Sequence, residues 1–134
     1  MSPTQKDIKT PVSSEQLKDL IVKILDEKKA TEIHVIDVRG KSALTDFMVL
    51  ASGTSSRQVS SLAETLEAML HKEKIYALSI EGRSEGEWVL IDLNDVIVHL
   101  FKPETRAHYN LETLWTEGEK NISAKRGLQS PETR

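Results

Sequence analysis

The side chains with chemical potential in this chain gather on two apolar strands, Glu87 to Ile91 and Val96 to Phe101. Side chains alternate along a strand, so Trp88, Leu90 and Asp92 share one face and Val89 and Ile91 the other. On the next strand Ile97, His99 and Phe101 oppose Val96, Val98 and Leu100. An even-numbered tight turn around Asn94 would sort the hairpin cleanly. One face then carries Val89, Ile91, Val96, Val98 and Leu100, and the other Trp88, Leu90, Asp92, Ile97, His99 and Phe101. A three-residue loop would undo this assignment. The first face is aliphatic, as a core requires. The second mixes indole, carboxylate and imidazole, and two readings of it compete. Trp88 and Phe101 are core beneath a helix, because Trp is usually mostly buried; or the face is a recognition surface, because Trp is enriched at interface hot spots. Under the second reading Trp88 and Leu90 form an apolar centre beside His99. Glu81, Asp92 and Asp95 then supply carboxylates for basic groups on a partner protein. If Trp88 is core, the binding surface has to lie on the helices or on the Glu104 to Trp115 segment.

Enzymatic chemistry finds less support. Gly53-Thr54-Ser55 leads into a helix, a place where phosphate can bind. An active nucleotide-binding enzyme is therefore the alternative to a binding protein. Nucleotidyltransferases pair such a turn with two closely spaced strand carboxylates that hold a metal ion. Here Asp46 and Asp92 are scattered, and no Asp-x-Asp follows on the next strand. The histidines His34, His71, His99 and His108 lack the short spacing of a metal site. Ser52, Ser55 and Ser56 have no adjacent base pattern. No catalytic residue, metal or cofactor is expected.

These residues must be positioned by one domain. The chain has 134 residues, no cysteine and a formal net charge of −3 with the two signs interspersed. Disulfides and thiolate chemistry are excluded. No apolar run is long enough for a membrane span, and nothing at the N-terminus reads as a secretory signal. The only basic stripe, Lys120 to Arg126, is short, which disfavours independent nucleic-acid binding.

Residues 1–12 read as a flexible arm, 13–117 as the folded domain, and 118–134 as a polar tail expected to be disordered. Ser13 and Gln16 offer a capping box, followed by Leu17, Leu20, Ile21, Ile24 and Leu25 on one helical face. That helix should end near Lys28-Lys29, where cations suit the C-terminal dipole. Strands are expected at 33–38, 47–51, 77–80, 87–91 and 96–101. A second helix, with Ser55 and Gln58 as a possible capping box, carries Val59, Leu62, Ala63, Leu66, Met69 and Leu70. Gly82 and Gly86 bracket a turn. After Pro103, Ala107, Leu111, Leu114 and Trp115 share a helical stripe, interrupted near Asn110. The order α-β-β-α-β-β-β-α predicts an α/β fold, a mixed five-stranded sheet flanked by helices.

Taken together, these segments resemble the ribosomal silencing factor family, RsfS or Iojap. The resemblance rests on Asp37-Val38-Arg39-Gly40, Thr45-Asp46-Phe47, Ala51-Ser52-Gly53-Thr54-Ser55 and Arg57-Gln58. It continues through Glu81-Gly82, Glu87 to Asp92, Asp95-Val96, Val98 to Phe101, Glu104, Arg106, Tyr109, Leu111-Glu112 and Leu114-Trp115. Their order and spacing carry the likeness, across about residues 15–117; His108, where the family often has an aromatic, departs from it. The resemblance implies a nucleotidyltransferase-like fold without that activity, in a cytoplasmic or organellar protein. It also implies docking on ribosomal protein fourteen of the large ribosomal subunit, which blocks joining of the small subunit and represses translation when nutrients are scarce. The free protein is then expected to be a homodimer.

Overall fold

The computed structural model describes residues 12–107 and 111–127. Residues 1–11 of the expected arm, His108 to Asn110, and the end of the tail lie outside the described residues. So do the side chains of residues 111–115, and with them most of the stripe expected after Pro103.

Helix α1, Ser14–Glu27, begins as its sequence predicts: Ser13 Oγ accepts from the Gln16 amide, and the Gln16 side chain accepts from the Ser13 amide. Its end has a different cause from the one expected. Lys29 takes a left-handed φ of 72°, its N–H reaches the Asp26 carbonyl, and the Ala30 N–H reaches that of Leu25. This is a Schellman close with lysine where glycine is usual. Helix α2, Ser56–Lys72, closes in the same way through Lys74 and Ile75. At its start Ser55 accepts from the Gln58 amide, but the Gln58 side chain accepts from Thr54 rather than completing a reciprocal box.

The strands β1 Thr31–Asp37, β2 Phe47–Ser52, β3 Ser79–Glu81, β4 Trp88–Asp92 and β5 Val96–Phe101 form one mixed sheet in the order β1-β2-β5-β4-β3. Only β2 and β5 run parallel. The chain then forms a short helix, α3 Pro103–Ala107, and a longer one, α4 Leu111–Lys125. The mixed α/β architecture with five strands is therefore as expected, with the last helical region in two pieces.

Helices α1 and α2 pack on one face of the sheet. There Leu17, Ile21, Leu25, Val59, Leu62 and Leu66 meet Val49, Val89, Ile91, Val98 and Leu100 in the main core. The opposite face is apolar too, with Met48, Leu50 and Phe101 clustered around Val38, and Leu90 and Ile97 around Ile122. Every residue of β2 and β5 is buried, as befits strands covered on both sides. The polar tail expected from residue 118 is instead helix as far as Lys125. Gly118 and Ile122, one turn apart, face the sheet while Glu117, Lys120, Asn121 and Lys125 face solvent. So narrow an apolar stripe leaves the composition polar.

The hairpin is held in place from outside by two glycines. Gly82 has φ +81°, and a Cβ there would stand 2.3 Å from the Trp88 carbonyl oxygen. At Gly86, φ +70°, it would stand 2.4 Å from that of Ser56. Left-handed backbone costs a non-glycine residue about 1–2 kcal/mol before any clash is counted. Gly82→Ala should therefore lower stability by more than about 2 kcal/mol, measured by urea denaturation; an unchanged midpoint would show that the β3–β4 connection is not constrained.

Candidate functional site

The β4–β5 turn decides what the hairpin presents. Asp92 pairs with Ile97, and the Leu93 N–H reaches the Val96 carbonyl, so the loop is the two-residue Asn94-Asp95 with Asn94 at φ 74°. The even turn aligns Trp88 with Phe101 and Leu90 with His99. The faces sort as the sequence predicts.

The openness expected of the second face is corrected. Leu90 is 3 % exposed, and Asp92 and His99 are fully buried. Glu81 and Trp88 are partly buried, and Asp95 alone of the six candidates is exposed. The physical reason is the second half of α4 with the Arg126 that follows it, which lies over Leu90, Ile97 and His99.

Asp92 sits at the end of β4 and finds its counter-ion on this cover. Arg126 grips the carboxylate with two hydrogen bonds, Nε to Oδ2 at 2.9 Å and Nη2 to Oδ1 at 2.8 Å. The Asn94 amide adds a third at 2.9 Å. The same guanidinium donates to the carbonyls of Leu44 and Asn94, so one side chain ties α4 to β4, the β4–β5 turn and the loop before β2. Nearby, Lys125 Nζ stands 3.1 Å from Glu81 Oε2, an ion pair without hydrogen-bond alignment. Ser42 Oγ donates to the Glu119 carboxylate, which anchors the middle of the helix. Sequence reasoning missed Arg126. Its signal was Asp92 itself, since a carboxylate on an apolar strand face requires a partner.

His99 is held differently. The Trp88 indole N–H donates to His99 Nδ1 at 3.1 Å, and the imidazole stacks on Phe101. The remaining proton of the neutral ring is on Nε2, which has no hydrogen-bond partner among the described residues. Gly118 lies against it: a Cβ there would be 2.7 Å from His99 Cε1. Burial pushes the His99 pKa down to about 3.

The rival site at Gly53-Thr54-Ser55 is closed by its own caps, because the Thr54 N–H and hydroxyl both donate to Gln58. Among the described residues no group of three or more His, Asp or Glu is placed to hold a metal ion. No described helix is long and apolar enough to cross a membrane.

Comparison with known proteins fits this geometry. A family model described as "ribosomal silencing factor during starvation" matches residues 11–134. A ribosomal silencing factor RsfS from Zymomonas mobilis is 43% identical over 112 residues, 84% of each chain. The mouse protein named mitochondrial assembly of ribosomal large subunit protein 1 is 36% identical over 101 residues, 73% of this chain and 44% of its own. A crystal structure of a Chromobacterium violaceum protein superposes with a TM-score of 0.73 at 31% identity, covering 89% of this chain and 90% of that one.

The buried imidazole sets a pH dependence. The unfolded chain takes up a proton on His99 below its ordinary value near 6.5, whereas the folded chain does not until about 3. This contribution to stability is fully present above pH 6.5 and is lost as pH falls, by up to about 1.4 kcal/mol per unit. Urea unfolding between pH 7.5 and 5, above most carboxylate titration, should show this slope. His99→Gln, which still offers Trp88 an acceptor, should flatten it; equal slopes would place the titration elsewhere.

Proposed function

The chain belongs to the ribosomal silencing factor family, and we propose that it binds the large ribosomal subunit through ribosomal protein fourteen and so blocks joining of the small subunit. Membership makes it a ribosome-associated regulator of translation. The observation that carries the finer reading is the family match over the entire described fold. The name of the mouse relative, which points to the large subunit, supports it. Repression of translation under nutrient limitation follows from the same premise, since a large subunit held apart from its partner cannot initiate.

The contact surface in this reading is the Trp88 edge of the hairpin with the carboxylates Glu81 and Asp95 beside it, which keep some exposure in the free chain. Carboxylates at a rim act mainly on association rate and salt dependence. A nucleotide enzyme is not favoured by any feature of the site.

Purified protein should co-sediment with free large subunits and not with small ones. Equal binding to both, or to naked ribosomal RNA, would refute the reading. Asp95→Lys should weaken large-subunit binding, more at low salt than at high, with the melting transition unchanged.

The free protein is proposed to be a homodimer. The second hairpin face is covered by α4, but Tyr76 and Leu78 remain 60 % and 59 % exposed beside edge strand β3. Light scattering should report about twice the 15.1 kDa of the chain; a monomer mass at micromolar concentration would exclude the dimer.

A further inference from the structure

We infer that Gly118–Arg126, the second half of α4 with the residue that follows it, is a displaceable cover over the β4–β5 face, filling it in the free protein with the same chemistry that a basic, aliphatic surface of the ribosomal partner presents when it takes the helix's place. The inference rests on the proposed docking to the large subunit and adds how access to that face is controlled.

The cover matches the face in chemistry. Ile122 fills the apolar site between Leu90 and Ile97, Arg126 neutralises Asp92, and Lys125 stands at Glu81. An aliphatic group flanked by two cations is what this surface selects, and a basic protein can supply both. Without the helix, the sheet would present an apolar floor with two uncompensated carboxylates.

The contact is also weak where it is closest. A glycine inside a helix is less favourable than alanine, yet only glycine allows α4 to approach His99. That approach buries the His99 Nε2 proton donor with no partner among the described residues. A buried unsatisfied donor is destabilising, and a ribosomal surface carrying a hydrogen-bond acceptor would satisfy it. Both features fall at one point, halfway along α4, and the unmet donor is relieved when the cover lifts. The Asp92–Arg126 bonds at the end of the helix hold it down in the meantime.

Two opposed changes test the cover. Gly118→Ala favours the helix but forbids its close approach, so it should lift α4. Conversely, Ser42→Cys with Glu119→Cys, joined by a short bifunctional maleimide, should lock it; the chain has no cysteine of its own. Large-subunit affinity should rise several-fold in Gly118→Ala and fall at least about tenfold in the locked form relative to the same variant before cross-linking, because a closed cover reduces apparent affinity by the fraction of open molecules. Locked protein that binds as well as unlocked protein overturns the cover, even if Gly118→Ala fails to fold. Weaker binding by folded Gly118→Ala overturns it as well. Should the wild type bind no large subunits while Gly118→Ala self-associates in light scattering, the face serves a second copy and the ribosomal occupant is refuted. A wild type that binds while the lock has no effect refutes the cover and leaves the proposed function intact.

Discussion

The pairing of Asp92 with Ile97 across a two-residue turn is the constraint on which the rest depends. It fixes the register of β4 on β5, and with a side-chain period of two it sends Val89, Ile91, Val96, Val98 and Leu100 to one side. The indole, the carboxylate and the imidazole go to the other. β5 in turn sets the parallel register of β2, so the same turn determines which residues of the central strands face α1 and α2. A single inserted residue would exchange the two faces and bury a carboxylate in the main core.

The second face needs a charged anchor because Asp92 is fully buried. A buried ion pair is poor support for stability against an apolar alternative, but removing one partner costs about 3–5 kcal/mol through the charge left behind. Arg126 thus acts less as glue than as an address. Its forked donors fit a carboxylate in one orientation, and its further bonds to the Leu44 and Asn94 carbonyls fix where the end of α4 rests.

Much of the fold was legible because local rules and burial agree. The capping box at Ser13, the helical stripes of α1 and α2, and the alternation in β4 report one answer at two levels. Helix ends were less legible: a lysine at a left-handed position carries no compositional mark, so Lys29 looked like a dipole-matching cation. The candidate site was half legible. The hairpin residues were correctly sorted onto two faces, but the openness of the second was misjudged. The near-continuous apolar run of β5, Val96 to Phe101 broken only by His99, was the available signal that both faces are covered, since a half-exposed strand would alternate with polar residues. The cover itself was hidden in a segment whose apolar contact comes down to Ile122 and a glycine. What identifies such a helix is the unmet charge beneath it, which is a tertiary fact rather than a periodicity.

The parallel pairing of β2 with β5 has a consequence for how the molecule comes into being. Phe47 meets Val96, 49 positions later, so the sheet cannot close until nearly the whole hairpin exists. Contacts this distant in sequence form slowly, because loop closure is unfavourable before they reward it. Chains are made from the N-terminus, and α4 follows β5. The residues of the β4–β5 face are therefore synthesised before the segment that covers them, so the last part of the chain to be made is the part that finishes this side of the fold.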